Sequence, residues 1–301
     1  MLIKESKEEY LKVIKENFPE VSFSRAELIT KGWDNNVILL DDNFVFRFPK
    51  RVGYDLRFRS ELKLLKYLET KLNLPIPHYA YVAENIPCGG YVKIPGIEMQ
   101  PEIFNQLEEK QIEQIAKQLG NFLSILHQTP IDFVKEYGFG EARSSYWWNK
   151  EQLGDTLQKL KELVFPRLEK EEISWIEHQI EQYSATSAGF ENVVIHSNIK
   201  PEHIFIDPVK KSLTGVIDFS DVEIADPALD FSGLWYYGDS FPEKVLSFYA
   251  GKIDEGFLKR SKFYYLMRDV NNMLEISDGE NMPITFEESQ KKFNAFLKSP
   301  K

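Results

Sequence analysis

Apolar positions keep two rhythms along the chain, a short alternating one near the start and a longer helical one through most of the remaining sequence. A helix is expected over residues 8–17, and residues 37–40 and 44–48 are apolar or aromatic runs split by Asp41, Asp42 and Asn43, which predicts a hairpin with residues 31–36 as the loop before it. Apolar residues at 58, 62, 65, 68 and 72 keep helical spacing until Pro75 and Pro77 stop it. Strands are expected again at 79–83 and 90–94. These elements make a compact first lobe, residues 1–94. Residues 95–301 read as mainly helical: one long helix over 101–127 with a broad apolar face, a charged pair over 151–168 and 172–183, and closing helices over 241–249, 255–274 and 286–296. The strand-like exception is 193–195, 204–206 and 214–217, which puts residues 196–203 and Asp218 on loops at strand ends, where a cleft receives its polar groups. The class expected is α+β, with a small β-rich N-terminal lobe and a larger, mainly helical C-terminal lobe.

Composition narrows the partners. A chain of 301 residues has room for a large core divided between lobes. Lys plus Arg total 37 against 47 Asp plus Glu, a net charge of -10, which argues against nucleic acid or an anionic membrane and for a cationic partner. Cys88 is the lone cysteine, so neither an intramolecular disulfide nor a multi-cysteine metal site can form. The start of the chain is polar and no apolar run is long enough to span a bilayer. A cytoplasmic protein, expected to be a monomer, is the reading these features support.

The chemistry concentrates in His196-Ser197-Asn198-Ile199-Lys200-Pro201-Glu202-His203 and in Asp218-Phe219-Ser220. Protein-kinase catalytic loops run His-Arg-Asp with an Asn five residues past the Asp, followed by an Asp-Phe-Gly metal loop. The spacing is kept here with Asn198 at the Asp position, Lys200 two residues on, His203 at the Asn position and Ser replacing the glycine. Asp218 is the strongest magnesium-ligand candidate, because a carboxylate gives a hard cation both charge and oxygen. For His203, a metal or phosphate contact and a hydrogen bond to another loop are both open. Arg47 sits on a strand where a donor phosphate needs a cation, and Glu61 on the following helix is placed to hold it. As a plainer reading, both are surface residues of an amphipathic strand and helix. Gly32 permits close approach of the first loop to phosphate, while the Tyr91, Lys93 and Ile94 backbone lies in the segment that would meet a purine edge. Asp226 and Asp230 are expected to support the catalytic loop, through its backbone or through His196. Asp239, Asp269 and Glu275 are candidates for an acceptor pocket; a solvated helix surface explains them equally well.

On residues 43–50, Ile195-His196-Ser197-Asn198 with Pro201-Glu202-His203-Ile204, and 216–221 through Asp226-Pro227-Ala228-Leu229-Asp230-Phe231, the chain resembles the aminoglycoside phosphotransferases, most nearly those acting on the 2''-hydroxyl. The resemblance spans nearly the whole chain. It implies a protein-kinase-like fold, GTP or ATP as phosphoryl donor, two Mg2+ ions and a cationic aminoglycoside as the small-molecule acceptor. It places Arg47 on donor phosphate, His203 and Asp218 at the metal, and Asn198 where the acceptor-activating aspartate stands.

Asn198 is the departure. An amide holds a hydroxyl but cannot take its proton. Three explanations stand: a replaced catalytic base, a binding-only relative, or an enzyme that uses another group. Lys200 is a poor substitute, since a cation facing phosphates stays protonated. Residues 234–239 are aromatic rather than richly acidic, so macrolide and other small-molecule kinases stand as alternatives.

Overall fold

The computed structural model describes residues 6–30, 32, 35–50, 54–136, 148, 152–186, 189–280 and 282–298, and it has two lobes of unlike composition. Helix α1 (Lys7–Asn17) precedes strands β1 (Ala26–Ile29), β2 (Asn35–Leu40) and β3 (Phe44–Pro49), then helix α2 (Tyr54–Glu69) and strands β4 (Tyr79–Val82) and β5 (Gly89–Val92). The five strands form one antiparallel sheet in the order β1-β2-β3-β5-β4. Alternate residues of β2 are buried, as a sheet with one wet face requires. The β2–β3 turn puts Asp41 and Asp42 at φ 50° and 56°, and the Asp41 carboxylate accepts the Ser24 and Arg25 amides.

The second half opens with β6 (Ile97–Glu98), α3 (Pro101–Phe104), α4 (Glu109–His127), α5 (Ile131–Glu136), α6 (Leu153–Lys159) and α7 (Lys170–Ser184). It continues through β7 (Val193–Ile195), β8 (Ile204–Ile206), β9 (Leu213–Val216) and β10 (Glu223–Ala225), and closes with α8 (Ser240–Leu246), α9 (Phe257–Ser277) and α10 (Phe286–Lys298). Two expectations need correction. The helix over 101–127 is broken, because Glu108 starts α4 with a capping box in which its carboxylate takes the Gln111 amide and the Gln111 side chain takes its own. The helix over 151–168 gives way to a π turn at Leu160–Val164 and a 3-10 turn at Phe165–Arg167, where Pro166 has no amide to continue it. Residues 31, 33, 34 and 151, part of the expected loop and helix, lie outside the described residues.

One hydrophobic cluster joins α1 to the inner face of the five-stranded sheet through Ile14, Phe18, Ile38, Leu40, Phe46 and Phe48. The larger one fills the helical half and takes Leu64, Leu65 and Leu68 of α2 as well. Two small antiparallel sheets set the loops. Pairing of β7 with β10 brings Ile195 opposite Glu223, and pairing of β8 with β9 sets Ile204 opposite Val216. Residues 196–203 and 217–222 therefore leave adjacent strand ends and face one another. Among the described residues no helix is long and apolar enough to cross a membrane.

Candidate functional site

Arg47 enters from β3 and is 5% exposed; Glu61 enters from α2 and is 1% exposed. Arg47 Nη1 donates to Glu61 Oε1 at 2.6 Å and to the Tyr79 hydroxyl at 2.8 Å, while Nη2 reaches Asp218 Oδ1 at 3.3 Å and Ser220 Oγ at 3.4 Å. The guanidinium fork thus ties the sheet to the loop after β9. Neither residue is the surface residue that the plainer reading made of it.

The loop after β7 is held by buried carboxylates. His196 N and Ser197 N donate to Asp230 Oδ2 and Oδ1, both at 2.7 Å, and His127 Nε2 lies 3.0 Å from Oδ2. Ser197 occupies the left-handed region at φ 68°, and its hydroxyl donates to Glu223 Oε1 at 2.5 Å. His196 contacts the Ile217 carbonyl through Nε2 at 3.1 Å and accepts the Asn198 amide on Nδ1 at 3.3 Å. That pattern requires a neutral ring, in line with burial pushing its pKa down to about 4. Asp226 lies elsewhere: it takes Arg260 Nε at 2.6 Å, the Tyr264 hydroxyl at 2.9 Å and the Ala228 amide at 3.0 Å, so it anchors α9 rather than the loop.

Asn198, His203 and Asp218 converge. His203 Nδ1 contacts the Asn198 carbonyl at 2.8 Å, which leaves Nε2 facing Asp218 Oδ2 at 3.2 Å. Burial pulls the His203 pKa down while the Asp218 charge pulls it up, and the net shift is downward. Nε2 and the Asp218 carboxylate form an ion pair whenever the ring carries its second proton. Asp218 has φ 70°; burial pushes its carboxyl up, but His203 and Arg47 outweigh that and hold it below the ordinary range. The Asp218 carboxylate offers a magnesium ion the hard oxygen it prefers, with its remaining ligands to come from phosphate and water, whereas the His203 imidazole is the poorer ligand for such an ion. Asn198 Nδ2 donates to Asp221 Oδ2 at 2.9 Å. Lys200 is half-buried on the same loop, and its charge is among those that lower the His203 pKa.

The other expected residues are spread out. The Gly32 carbonyl is exposed and accepts Lys50 Nζ at 2.5 Å. Tyr91 sits inside the sheet between Val45 and Tyr79, and the Lys93 amide is already given to the Asn43 carbonyl at 2.7 Å. Ile94 follows two residues beyond the end of β5 at Val92. Asp239 is 83% exposed on its side chain and pairs with Lys262; Asp269 is buried beside Arg268 Nη2 at 3.1 Å. Glu275 is raised to about 7 by burial, then by Glu280 and Asp221, so it is electrostatically coupled to the Asn198 partner. The sequence reading assigned no role to Tyr79, His127, Ser197, Asp221 or Glu223. Asp221 stands three residues past Asp218 and was open to notice, whereas His127 at the end of α4 carries no local signal.

The uncharacterized protein YcbJ of Bacillus subtilis (strain 168) is 24% identical over 247 residues, 76% of either chain. Among solved structures, the GDP complex of wild-type aminoglycoside 2'-phosphotransferase-IIIa superposes with a TM-score of 0.85 at 22% identity, covering 97% of this chain and 98% of that one. A GDP and kanamycin complex of an APH(2") enzyme gives 0.82 at 23%, with 96% and 98% covered, and macrolide 2'-phosphotransferase type I gives 0.69 at 17%, with both chains fully covered. These likenesses establish a kinase-like fold. The model of the phosphotransferase enzyme family APH matches residues 25–260, and the chain belongs to that family.

Proposed function

We propose that the protein moves the terminal phosphoryl group of GTP or ATP to a hydroxyl of an aminoglycoside. The observation that carries the reading is the convergence of Arg47 from β3, Asn198 and His203 from the loop after β7 and Asp218 from the loop after β9 into one set of contacts. Residues 1–94 bind the nucleotide and residues 95–301 supply the catalytic loop and the acceptor wall. The Ile94 backbone meets the base, while Arg47 and Lys200 place positive charge at the phosphates. His203 and Asp218 are the residues that would hold Mg2+, which when bound neutralises charge on the transferred group. Asn198 positions the acceptor hydroxyl, and Glu275 lies on the acceptor side. Nucleotide complexes of similar proteins, and the kanamycin complex of one, support this reading.

A macrolide or other less cationic acceptor is favoured by one observation. Lys262 lies 4.7 Å from the Trp235 ring and Arg268 lies 4.9 Å from the Tyr236 ring, so cations of the chain already cover the aromatic faces that would attract an ammonium group. Calorimetric titration of GTP and ATP with and without Mg2+, on the protein and on Asp218→Ala, tests the donor site; phosphate transfer to kanamycin and to erythromycin tests the acceptor. Tight Mg2+-dependent binding lost in Asp218→Ala, with transfer to either acceptor, supports the reading. Equal binding by both proteins sinks it, and binding without transfer leaves a nucleotide-binding relative.

A further inference from the structure

Resting on the phosphotransferase reading, we infer that Asp221, held by the Asn198 amide, is the group that takes the proton of the acceptor hydroxyl. The Asn198 side chain has one hydrogen-bonding arrangement toward Asp221: the carboxylate only accepts, so Nδ2 donates, at 2.9 Å. This donation does two things. It fixes the carboxylate within hydrogen-bond reach of the position where a base is needed, and it turns Asn198 Oδ1 away from Asp221. Asp221 also ends the 3-10 turn Phe219–Asp221 that Asp218 begins.

Glu275 feels the Asp221 charge from α9, and the titratable groups of the loops themselves are engaged as supports or toward the metal position. His196 uses both ring nitrogens on backbone, and His203 gives Nδ1 to the Asn198 carbonyl and turns Nε2 to Asp218. Glu223 accepts from Ser197, and Asp230 holds the loop amides. Lys200 is a cation. Asn198 and Asp221 are both partly open to solvent, as an acceptor must find them.

In the step itself, an oxygen lone pair of the acceptor hydroxyl forms the bond to the terminal phosphorus. The bond from that phosphorus to the bridging oxygen breaks, its electron pair leaves on the nucleoside diphosphate, and the hydroxyl proton passes to an Asp221 carboxylate oxygen. In a loose transition state the proton moves late, so a base set beside the usual position and aligned by an amide is sufficient.

The test compares the protein, Asp221→Asn, and the exchanged double variant Asn198→Asp with Asp221→Asn, which keeps the hydrogen bond with donor and acceptor reversed. Transfer from labelled GTP and ATP to kanamycin and erythromycin is measured at saturating acceptor, with nucleotide Kd by calorimetry as the check on folding. Asp221→Asn should lower kcat by roughly a hundredfold or more, the scale of a lost general base. Nucleotide Kd should hold, and the exchanged variant should regain transfer. Undiminished kcat in Asp221→Asn, or a loss confined to KM, overturns the assignment and leaves phosphotransfer standing. Transfer by the exchanged variant alone, with none by the unaltered protein, also overturns it, since Asn198 would then simply disable the site. If both bind nucleotide and neither transfers, the phosphotransferase reading falls with it.

Discussion

Gly233 gives the sharpest perturbation of the loop without touching its chemistry. A Cβ built at that position lies 1.7 Å from the Ile199 carbonyl oxygen, 2.7 Å from its carbon and 3.1 Å from Lys200 Cα. All three atoms are backbone, so no side-chain rotation relieves the contact, and the loop must retreat by more than ~1 Å to reach even a tight van der Waals distance. Overpacking of this kind costs roughly 1–3 kcal/mol. The opposing effect, an unfolded chain made less flexible by alanine, returns only about 0.4–1 kcal/mol, so Gly233→Ala is expected to destabilise on balance. A displacement near 1 Å at reacting groups costs about a hundredfold in rate, so transfer should fall further than stability. Gly154 in α6 is the matched control: nothing lies within 4 Å of its built Cβ, and alanine there should stabilise the protein slightly. Thermal melting of both variants, with transfer rates at saturating nucleotide, reads the two effects. A Gly233→Ala protein that melts and turns over like the unaltered one would refute the claim that this glycine seats the loop.

The buried charges give further expected outcomes. Glu61→Ala leaves the Arg47 guanidinium buried without its shortest partner, and urea unfolding should show a loss of about 3–5 kcal/mol. Burial raises the Glu223 carboxyl from 4.5 to about 7, with the Ser197 hydroxyl opposing. The native state therefore holds that proton more tightly, and the contribution is fully present below pH 4.5 and lost as pH rises through 7; Glu223→Gln should remove up to about 3 kcal/mol of that slope in unfolding measured between pH 4 and 8. Asn198→Asp alone sets two carboxylates about 3 Å apart, where both cannot stay ionised. Its transfer rate should rise with pH through a raised carboxyl value, and a flat profile between pH 5 and 8 would count against the pairing with Asp221.

The two-lobed α+β arrangement was legible because its signals are local. The split around Asp41, Asp42 and Asn43 marks the β2–β3 hairpin, and the run from 58 to 68 marks most of α2. Strands β1, β6 and β10 were missed. They run for two to four residues, and at Ile97–Glu98 both residues are exposed, so no alternation exists to read. The convergence of residues 198, 203 and 218 came from spacing between strand ends. The Asp230 brace was foreseen only in outline, because one partner, His127, stands 103 residues away and is delivered by packing of α4. Asp239 is a solvated partner of Lys262 in the fold, in keeping with the surface reading that stood beside its acceptor role.

Hydrogen-bond supply divides the polar groups of this centre into supports and ligand-facing pairs, and the division tells where a ligand must act. Asp230 accepts two loop amides, Glu223 accepts the Ser197 hydroxyl, and Glu61 accepts Arg47; each is nearly sealed from solvent and each has a charge-assisted bond to offset its burial. These groups gain nothing from a nucleotide. The work of Asp230 and Glu223 is to keep Ser197 in a left-handed conformation that a serine seldom adopts, and so to hold Asn198 toward Asp221 before any substrate arrives. His203 Nε2 and Asp218 Oδ2 are different, because they face one another at 3.2 Å and are the pair that a nucleotide-bound cation would meet. The free energy of binding a metal-bound phosphate is therefore concentrated at that pair, while the loop beneath it is already paid for by the fold. A substitution in the supports should weaken the protein and its turnover together, and so should Asp218→Ala, which strips a partner from the buried Arg47, whereas His203→Ala should weaken nucleotide binding more than it lowers the melting temperature of the free protein.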